Sequence, residues 1–338
     1  MCNLISKEMS TNMIMSTSLY TSSILCLMMN SWITVWIFLE INTMTFCSTI
    51  KNYTKINKNK STELSMKYFI IQSIASSILI MMTILIKEVK LEEFMKIMMI
   101  IPIMIKSAAS PFHQWFVDMT KKLTWKSSLL LMTWQKLAPI YLISFMNKIY
   151  CAFFVMSSFL MGAILQMNKK STMEIMAFSS VFNLSWMIMA ISMSTKMFIM
   201  FSFPYWITVI FSLLMIVKTK NYFINMNFSS YEEKFMLMSA MASMAGIPPF
   251  LGFVIKWSLF KEFTKTGIIL LITTILVTSA INFYMYLRMF TKFSSSPTKT
   301  MQKHFFKMSY PLMFIMISMN TMPLMFMLLL GYAWIKGL

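Results

Sequence analysis

Charge is the first thing this sequence has little of: 12% of its 338 residues are charged, and only 11 of those are acidic. With 58% hydrophobic residues and a mean hydropathy of +0.68, that composition excludes an ordinary soluble domain and points to an integral membrane protein. Glycine is sparse as well, and the six present form no GxGxxG or phosphate-cradling loop, which argues against a bound nucleotide. Cys2, Cys26, Cys47 and Cys151 include no CxxC pair and share no ligand spacing with His113 or His304. Neither a zinc site, nor an iron–sulfur centre, nor a disulfide framework is signalled, so no metal-binding or cofactor-binding residue is assigned. The absences together exclude redox chemistry carried by this chain itself. A basic n-region and cleavage site are also missing from the N-terminus, so the first apolar span is expected to stay in the mature protein.

What the sequence does have is long apolar runs. A hydrocarbon core of about 30 Å needs roughly 20 apolar residues per helix, and on that ruler the chain divides into about eleven spans. They fall near 12–29, 31–50, 63–86, 93–118, 125–146, 150–167, 172–193, 199–217, 235–261, 267–290 and 308–335. The runs are long and lack period-two alternation, which selects helices over a membrane barrel. The expected fold class is therefore all-α, a single polytopic transmembrane domain over 1–338.

The net charge of +19 resides mainly in the connections between spans, not in a basic groove interleaved with aromatics, so nucleic-acid binding is a poor reading. One side collects Lys7, the group Lys51, Lys55, Lys58 and Lys60, then Lys121, Lys122, Lys126, Lys169 and Lys170. On the other side Lys87, Lys90, Lys96 and Lys261 are diluted by Glu88, Glu92, Glu93 and Glu262. The positive-inside rule then puts the N-terminus inside, and an odd span count puts the C-terminus outside.

Two spans carry prolines where they matter for transport. IPIMIKSAASPFHQWF holds Lys106 before Pro111, and MAGIPPFLGFVIKW holds Pro248 and Pro249 before Lys256. Proline removes a backbone donor and clashes with the preceding turn, so both helices are expected to break or kink. Backbone groups freed at membrane depth survive only where protein or water satisfies them. Each broken span is fourth in a set of five, which predicts inverted five-helix repeats over roughly 12–146 and 150–290 with a C-terminal helix over 308–335. A plain packing kink is the competing explanation at either proline.

Four ionisable residues lie near span centres: Glu40, Lys106, Lys136 and Lys256. A charge at that depth costs on the order of 2.5–3.5 kcal/mol on insertion scales, and such residues commonly mark ion or proton routes. Glu40 is the sole carboxylate so placed, about ten residues or roughly 15 Å into its span, with Lys106 as its natural partner by type. Burial favours the neutral form of an amine, so a lysine at the midpoint of LLLMTWQKLAPIYL, Lys136, can gain and lose a proton as a relay requires. Snorkelling to the interface explains one such lysine near a span end but not four central charges. His113, in PFHQWF, is a candidate link from Lys106 to water or a packing histidine. Arg288 reads as an interfacial anchor.

The runs WIFLEIN, IKSAASPFHQWF, LMTWQKLAPIYL and GIPPFLGFVIKW, which carry these four charges, closely resemble the subunit 2 family of mitochondrial NADH dehydrogenase, and the match extends in order over nearly the whole chain. The abundance of Met, 43 residues, also looks like the output of an AT-rich mitochondrial genome. The resemblance implies an antiporter-like proton-pumping subunit in the membrane arm of respiratory complex I. It implies partners among the other membrane-arm subunits and inner-membrane lipids, with NAD, FMN, iron–sulfur clusters and ubiquinone held by partner subunits and no cofactor here. It also implies the mitochondrial inner membrane, with the N-terminus in the matrix and the C-terminus in the intermembrane space. Carried over, Glu40 and Lys106 are the family's charged pair, Lys136 its central-axis lysine and Lys256 its outlet-side lysine, while His113 falls on a family histidine. AFSSVFNLSWM departs from the pattern, with Asn183 and Ser185 where relatives often carry His and Gly. An amide orients water but does not titrate, so a proton route through that point needs water or another group. A free-standing cation/proton antiporter and an idle structural spacer are the readings from other classes.

Overall fold

The computed structural model describes residues 2–53, 58–88, 92–146, 148–219, 231–248, 250–265 and 267–295, so the span expected over 308–335 lies outside the described residues. Within them every regular element is helical. The first part of the chain forms α1 (Cys2–Met28), α2 (Trp32–Tyr53), α3 (Lys58–Glu88), α4 (Glu92–Ser107), α5 (Gln114–Lys122) and α6 (Trp125–Met132). A 3₁₀ turn over Trp134–Lys136 leads to α7 (Leu137–Ile143), followed by α8 (Lys148–Met167). The second part forms α9 (Thr172–Met193), α10 (Thr195–Thr219), α11 (Tyr231–Ala245), α12 (Leu251–Thr264) and α13 (Ile269–Ser295). The chain gathers into two compact units, Met1–Ser158 and Phe159–Leu338, and the boundary between them falls inside α8.

The burial pattern is that of a protein solvated by lipid. On α2 the exposed stripe is Ile33, Ile37, Ile41 and Met44, at helical spacing, while Asn42, Thr43, Thr45 and Thr49 point inward. On α3 the exposed stripe is Met66, Ile70, Ile74, Met81 and Ile84, against buried Ser65, Gln72, Ser76 and Thr83. Water would invert both stripes; in hydrocarbon the apolar face carries no penalty and the polar face seeks partners. Many of the inward hydroxyls turn back onto their own helix, as Thr45 does onto the Asn42 carbonyl at 2.9 Å. At the middle of the second unit lies α9, buried from Thr172 to Ile191 apart from the half-buried Glu174. Its approach to α8 is set by Gly162, where a Cβ would meet the Phe182 backbone nitrogen at 2.9 Å.

Among the described residues, six helices are long and apolar enough to cross a membrane: α2, Asn59–Ile86 of α3, Tyr150–Met167 of α8, α9, Thr195–Val217 of α10, and α13. Much of the remaining apolar length is divided by three interruptions. Two of them are the expected proline breaks; the third, inside the 125–146 span, was expected to be continuous helix.

Candidate functional site

The first break separates α4 from α5. Ala109 N donates to Met104 O at 3.0 Å and Ala108 N to Ile105 O at 3.2 Å, with Ala108 at φ 63. These are the paired bonds of a Schellman ending. The break between α11 and α12 closes the same way: Ile247 N donates to Ala242 O and Gly246 N to Ser243 O, both at 3.2 Å, with Gly246 at φ +80. In register, the Ala108 position matches Gly246, so Lys106 stands where Met244 does. Lys106 therefore enters its break from the helix before, and Lys256 belongs to the helix after.

The third break holds Lys136. Pro139, in the first turn of α7, has no N–H to offer the carbonyl four residues back at Gln135, and the chain there tightens into the 3₁₀ turn. Thr133 meets the end of α6 with its hydroxyl on the Leu129 carbonyl at 2.8 Å. The proline in LAP was the available sequence signal.

Each predicted site residue can now be placed. Glu40 is half-buried on α2, where the Thr43 hydroxyl lies 3.4 Å from its carboxylate. Lys106, in the last turn of α4, is 6% exposed, and its Nζ has no hydrogen-bond partner among the described residues. The Glu40 carboxylate bears on it electrostatically without forming a direct ion pair. His113 is buried at the head of α5. Lys136 is 3% exposed and its Nζ lies 4.6 Å from the centre of the Phe116 ring, a cation–π contact.

In the second unit Lys256 reaches back over its break. Its Nζ donates to the carbonyls of Met244 at 3.1 Å and Ala245 at 3.3 Å, and sits 5.6 Å from the Phe182 ring centre. The last carbonyls of a helix carry the negative end of its dipole, so an ammonium is favoured there. Gly252 makes the reach possible: a Cβ on it would lie 1.8 Å from Ser243 O. Asn183 lines a small cavity with Tyr205, Ser243 and Lys256. Arg288 donates from Nη1 to the Met167 carbonyl at 2.9 Å, tying α13 to the end of α8.

Several polar residues escaped sequence reasoning. Asn42 and Gln135 exchange two amide hydrogen bonds, at 3.1 and 3.2 Å, and the Tyr68 hydroxyl reaches the same Gln135 oxygen at 3.4 Å. Trp134 donates to Ser23 Oγ at 2.7 Å. The turn that carries Lys136 is thereby tied to α1, α2 and α3. An uncharged amide inside an apolar span was the only clue.

Helices with lipid-facing apolar stripes, interrupted at three places that Lys106, Lys136 and Lys256 adjoin or reach, define a polytopic membrane protein of the transport type. The family described as NADH:quinone oxidoreductase/Mrp antiporter, TM, matches residues 29–282, and the chain belongs to it. The NADH-ubiquinone oxidoreductase chain 2 of Anopheles gambiae is 35% identical over an alignment covering 77% of this chain and 79% of that relative. Among solved structures, a chain of respiratory complex I from Thermus thermophilus with bound aureothin superposes with a TM-score of 0.74 at 18% identity, covering 89% of this chain and 76% of that one. A chain of the Mrp complex from a Dietzia species gives 0.69 at 17% identity, covering 80% and 58%. The two structures establish the antiporter-like membrane fold.

Proposed function

We propose that this chain is a proton-translocating subunit in the membrane arm of NADH:ubiquinone oxidoreductase, respiratory complex I, in the mitochondrial inner membrane. It works with the other membrane-arm subunits, and NAD, FMN, iron–sulfur clusters and ubiquinone belong to those partners. The observation that carries the reading is the placement of Lys106, Lys136 and Lys256: each is at, or reaches, a helix break in a chain of this family. The free-standing antiporter gains from the likeness to the Mrp complex, but the curated relatives named NADH-ubiquinone oxidoreductase chain 2 favour the respiratory assignment.

In this reading eleven helices cross the bilayer as one domain, in two inverted five-helix repeats over roughly 12–146 and 150–290 with a last helix over 308–335. The N-terminus lies in the matrix and the C-terminus in the intermembrane space, as the lysine bias suggests. The shared Schellman closure of α4 and α11, each fourth in its repeat, supports the repeat assignment. Electron transfer in other subunits changes the charge at one end of the row Glu40, Lys106, Lys136 and Lys256. Coulomb coupling then shifts the proton affinity of each successive group, driving uptake and release. His113 links Lys106 to water.

The test is to extract the native membrane in mild detergent, resolve it on a non-denaturing gel, stain for NADH oxidation and identify this chain by mass spectrometry. The expected result is this chain within a very large NADH-oxidising band. Migration alone or as a small oligomer overturns the respiratory reading and favours an independent antiporter.

A further inference from the structure

A side chain outside the row of charges connects Glu40 with the turn that carries Lys136. Tyr68 on α3 is 2% exposed, and its hydroxyl donates to Gln135 Oε1 at 3.4 Å. The same oxygen accepts from Asn42 Nδ2 at 3.1 Å, and Gln135 Nε2 returns a bond to Asn42 Oδ1 at 3.2 Å. Two side chains of α2, Cys47 and Glu40, bear electrostatically on the Tyr68 hydroxyl, and of these Glu40 belongs to the row of charges. The Tyr68 ring packs on Phe46 of α2, with centres 4.9 Å apart, and on Trp115 of α5 at 6.0 Å. Trp115 meets Phe116 edge-on at 6.0 Å, and the Lys136 ammonium rests on Phe116.

A tyrosine ring held between two others keeps its place, but its O–H still turns about the C–O bond. Hydroxyl–oxygen bonds ordinarily span about 2.5–3.0 Å, so the 3.4 Å bond to Gln135 is a loose one that the hydroxyl can leave. In a low-dielectric interior a full charge on a neighbouring carboxyl competes with a bond of that strength. Gln135 and Lys136 are adjacent in a 3₁₀ turn, whose hydrogen bonding is poorer than that of an α-helix, and Lys136 N reaches Thr133 O at 3.3 Å. A change in what Gln135 accepts therefore acts on backbone that yields easily.

We propose that Tyr68 is a positioning residue for the step between Glu40 and Lys136: its hydroxyl answers the charge on Glu40 by making or releasing its bond to Gln135, and so shifts the turn that seats Lys136 on Phe116. The inference rests on the function proposed above, in which Glu40 and Lys136 belong to one row. Tyr68 itself takes and yields no proton. The Asn42–Gln135 pair keeps the turn attached to α2 in either state, so Lys136 is reseated and not released. Glu40 bears directly on Lys106, and Tyr68 gives it a second line of action, on the turn of Lys136.

Tyr68→Phe removes the hydroxyl and leaves the ring between Phe46 and Trp115. Infrared difference spectra of the intact complex, NADH-reduced minus oxidised, read the hydroxyl when ring-deuterated tyrosine marks the tyrosine bands. A tyrosine C–O band that shifts on reduction is expected in the parent and is expected to be missing from both Tyr68→Phe and Glu40→Gln. A hydroxyl with a merely structural role gives no such band. In sealed vesicles Tyr68→Phe is expected to assemble and to lose part of the protons translocated per NADH oxidised, as Lys136→Met does. Identical spectra for parent and Tyr68→Phe, or a band that survives Glu40→Gln, overturn the positioning role. So does an unchanged proton ratio in Tyr68→Phe beside a lowered one in Lys136→Met. An unchanged ratio in Lys136→Met as well overturns instead the row of charges on which the inference rests.

Discussion

Lys256 and Met244 face each other across a helix break, the ammonium of one donating to the carbonyl oxygen of the other at 3.1 Å. The relationship joins two facts that are separate in sequence: a lysine inside an apolar span and a helix that stops before a proline. The broken α11 exposes terminal carbonyls, which need a donor at membrane depth, and the lysine needs acceptors there. Each offsets the desolvation of the other.

Replacing Lys256 should therefore have two separable effects. Lys256→Met strands the carbonyls and is expected to cost about 1.5–3 kcal/mol, the range for hydrogen bonds to charged groups, seen as a lower unfolding temperature of the assembled complex. Lys256→Gln keeps a donor for those carbonyls but carries no exchangeable charge. It should regain most of the thermal stability without regaining proton translocation. Full translocation in Lys256→Gln would remove this lysine from the relay.

Lys136 is held against Phe116 on a turn bound to three other helices, so its position survives loss of its charge. Lys136→Met, similar in length, is expected to permit assembly and to lower protons translocated per NADH in sealed vesicles. A normal ratio would eliminate Lys136 as a relay group.

The reciprocal amide bonds between Asn42 and Gln135 make the two residues act as a unit. Truncating either one leaves the other buried and unsatisfied. Asn42→Leu and Gln135→Leu should each destabilise by about 1–3 kcal/mol, and the double variant by clearly less than their sum. A double-mutant cycle on thermal unfolding checks this, and simple additivity would show that the pair contributes little.

Gly252 and Gly267 should answer differently to a methyl group. Gly252→Ala drives a Cβ to within 1.8 Å of the Ser243 carbonyl oxygen, a backbone atom that cannot swing aside. It is expected to separate α12 from α11 and to cut the amount of assembled complex sharply, since overpacking typically costs about 1–3 kcal/mol even where side chains can yield. Gly267→Ala meets no atom of the described residues within 4 Å and faces its positive φ of +71, a cost of about 1–2 kcal/mol for a residue with a Cβ. Native-gel yields of the two variants should rank Gly267→Ala well above Gly252→Ala.

Much of this architecture was legible before any coordinates. Long apolar runs dictate helices in lipid because the backbone has no other way to satisfy itself there, and the prolines of ASPF and GIPP disrupt the α4–α5 and α11–α12 spans by removing a donor. Those are local consequences of covalent structure, and both appear where the sequence puts them. The break at Lys136 was equally local, since Pro139 lies three residues on, but the expectation treated that proline as part of a continuous helix. Its effect depends on whether the carbonyl four residues back finds other support.

By itself, then, the sequence determined the helical class and the apolar runs in which Glu40, Lys106, Lys136 and Lys256 lie, because hydrophobicity and the rise of a helix act along the chain. Tertiary structure alone decided which groups meet. Asn42 pairs with Gln135 at a separation of 93 residues, and Arg288 with Met167 at 121. Lys256 finds the end of α11 only because Gly252 admits the close approach. Hydrogen bonds are short and directional, so their partners are selected by helix packing, which no local pattern of residues encodes.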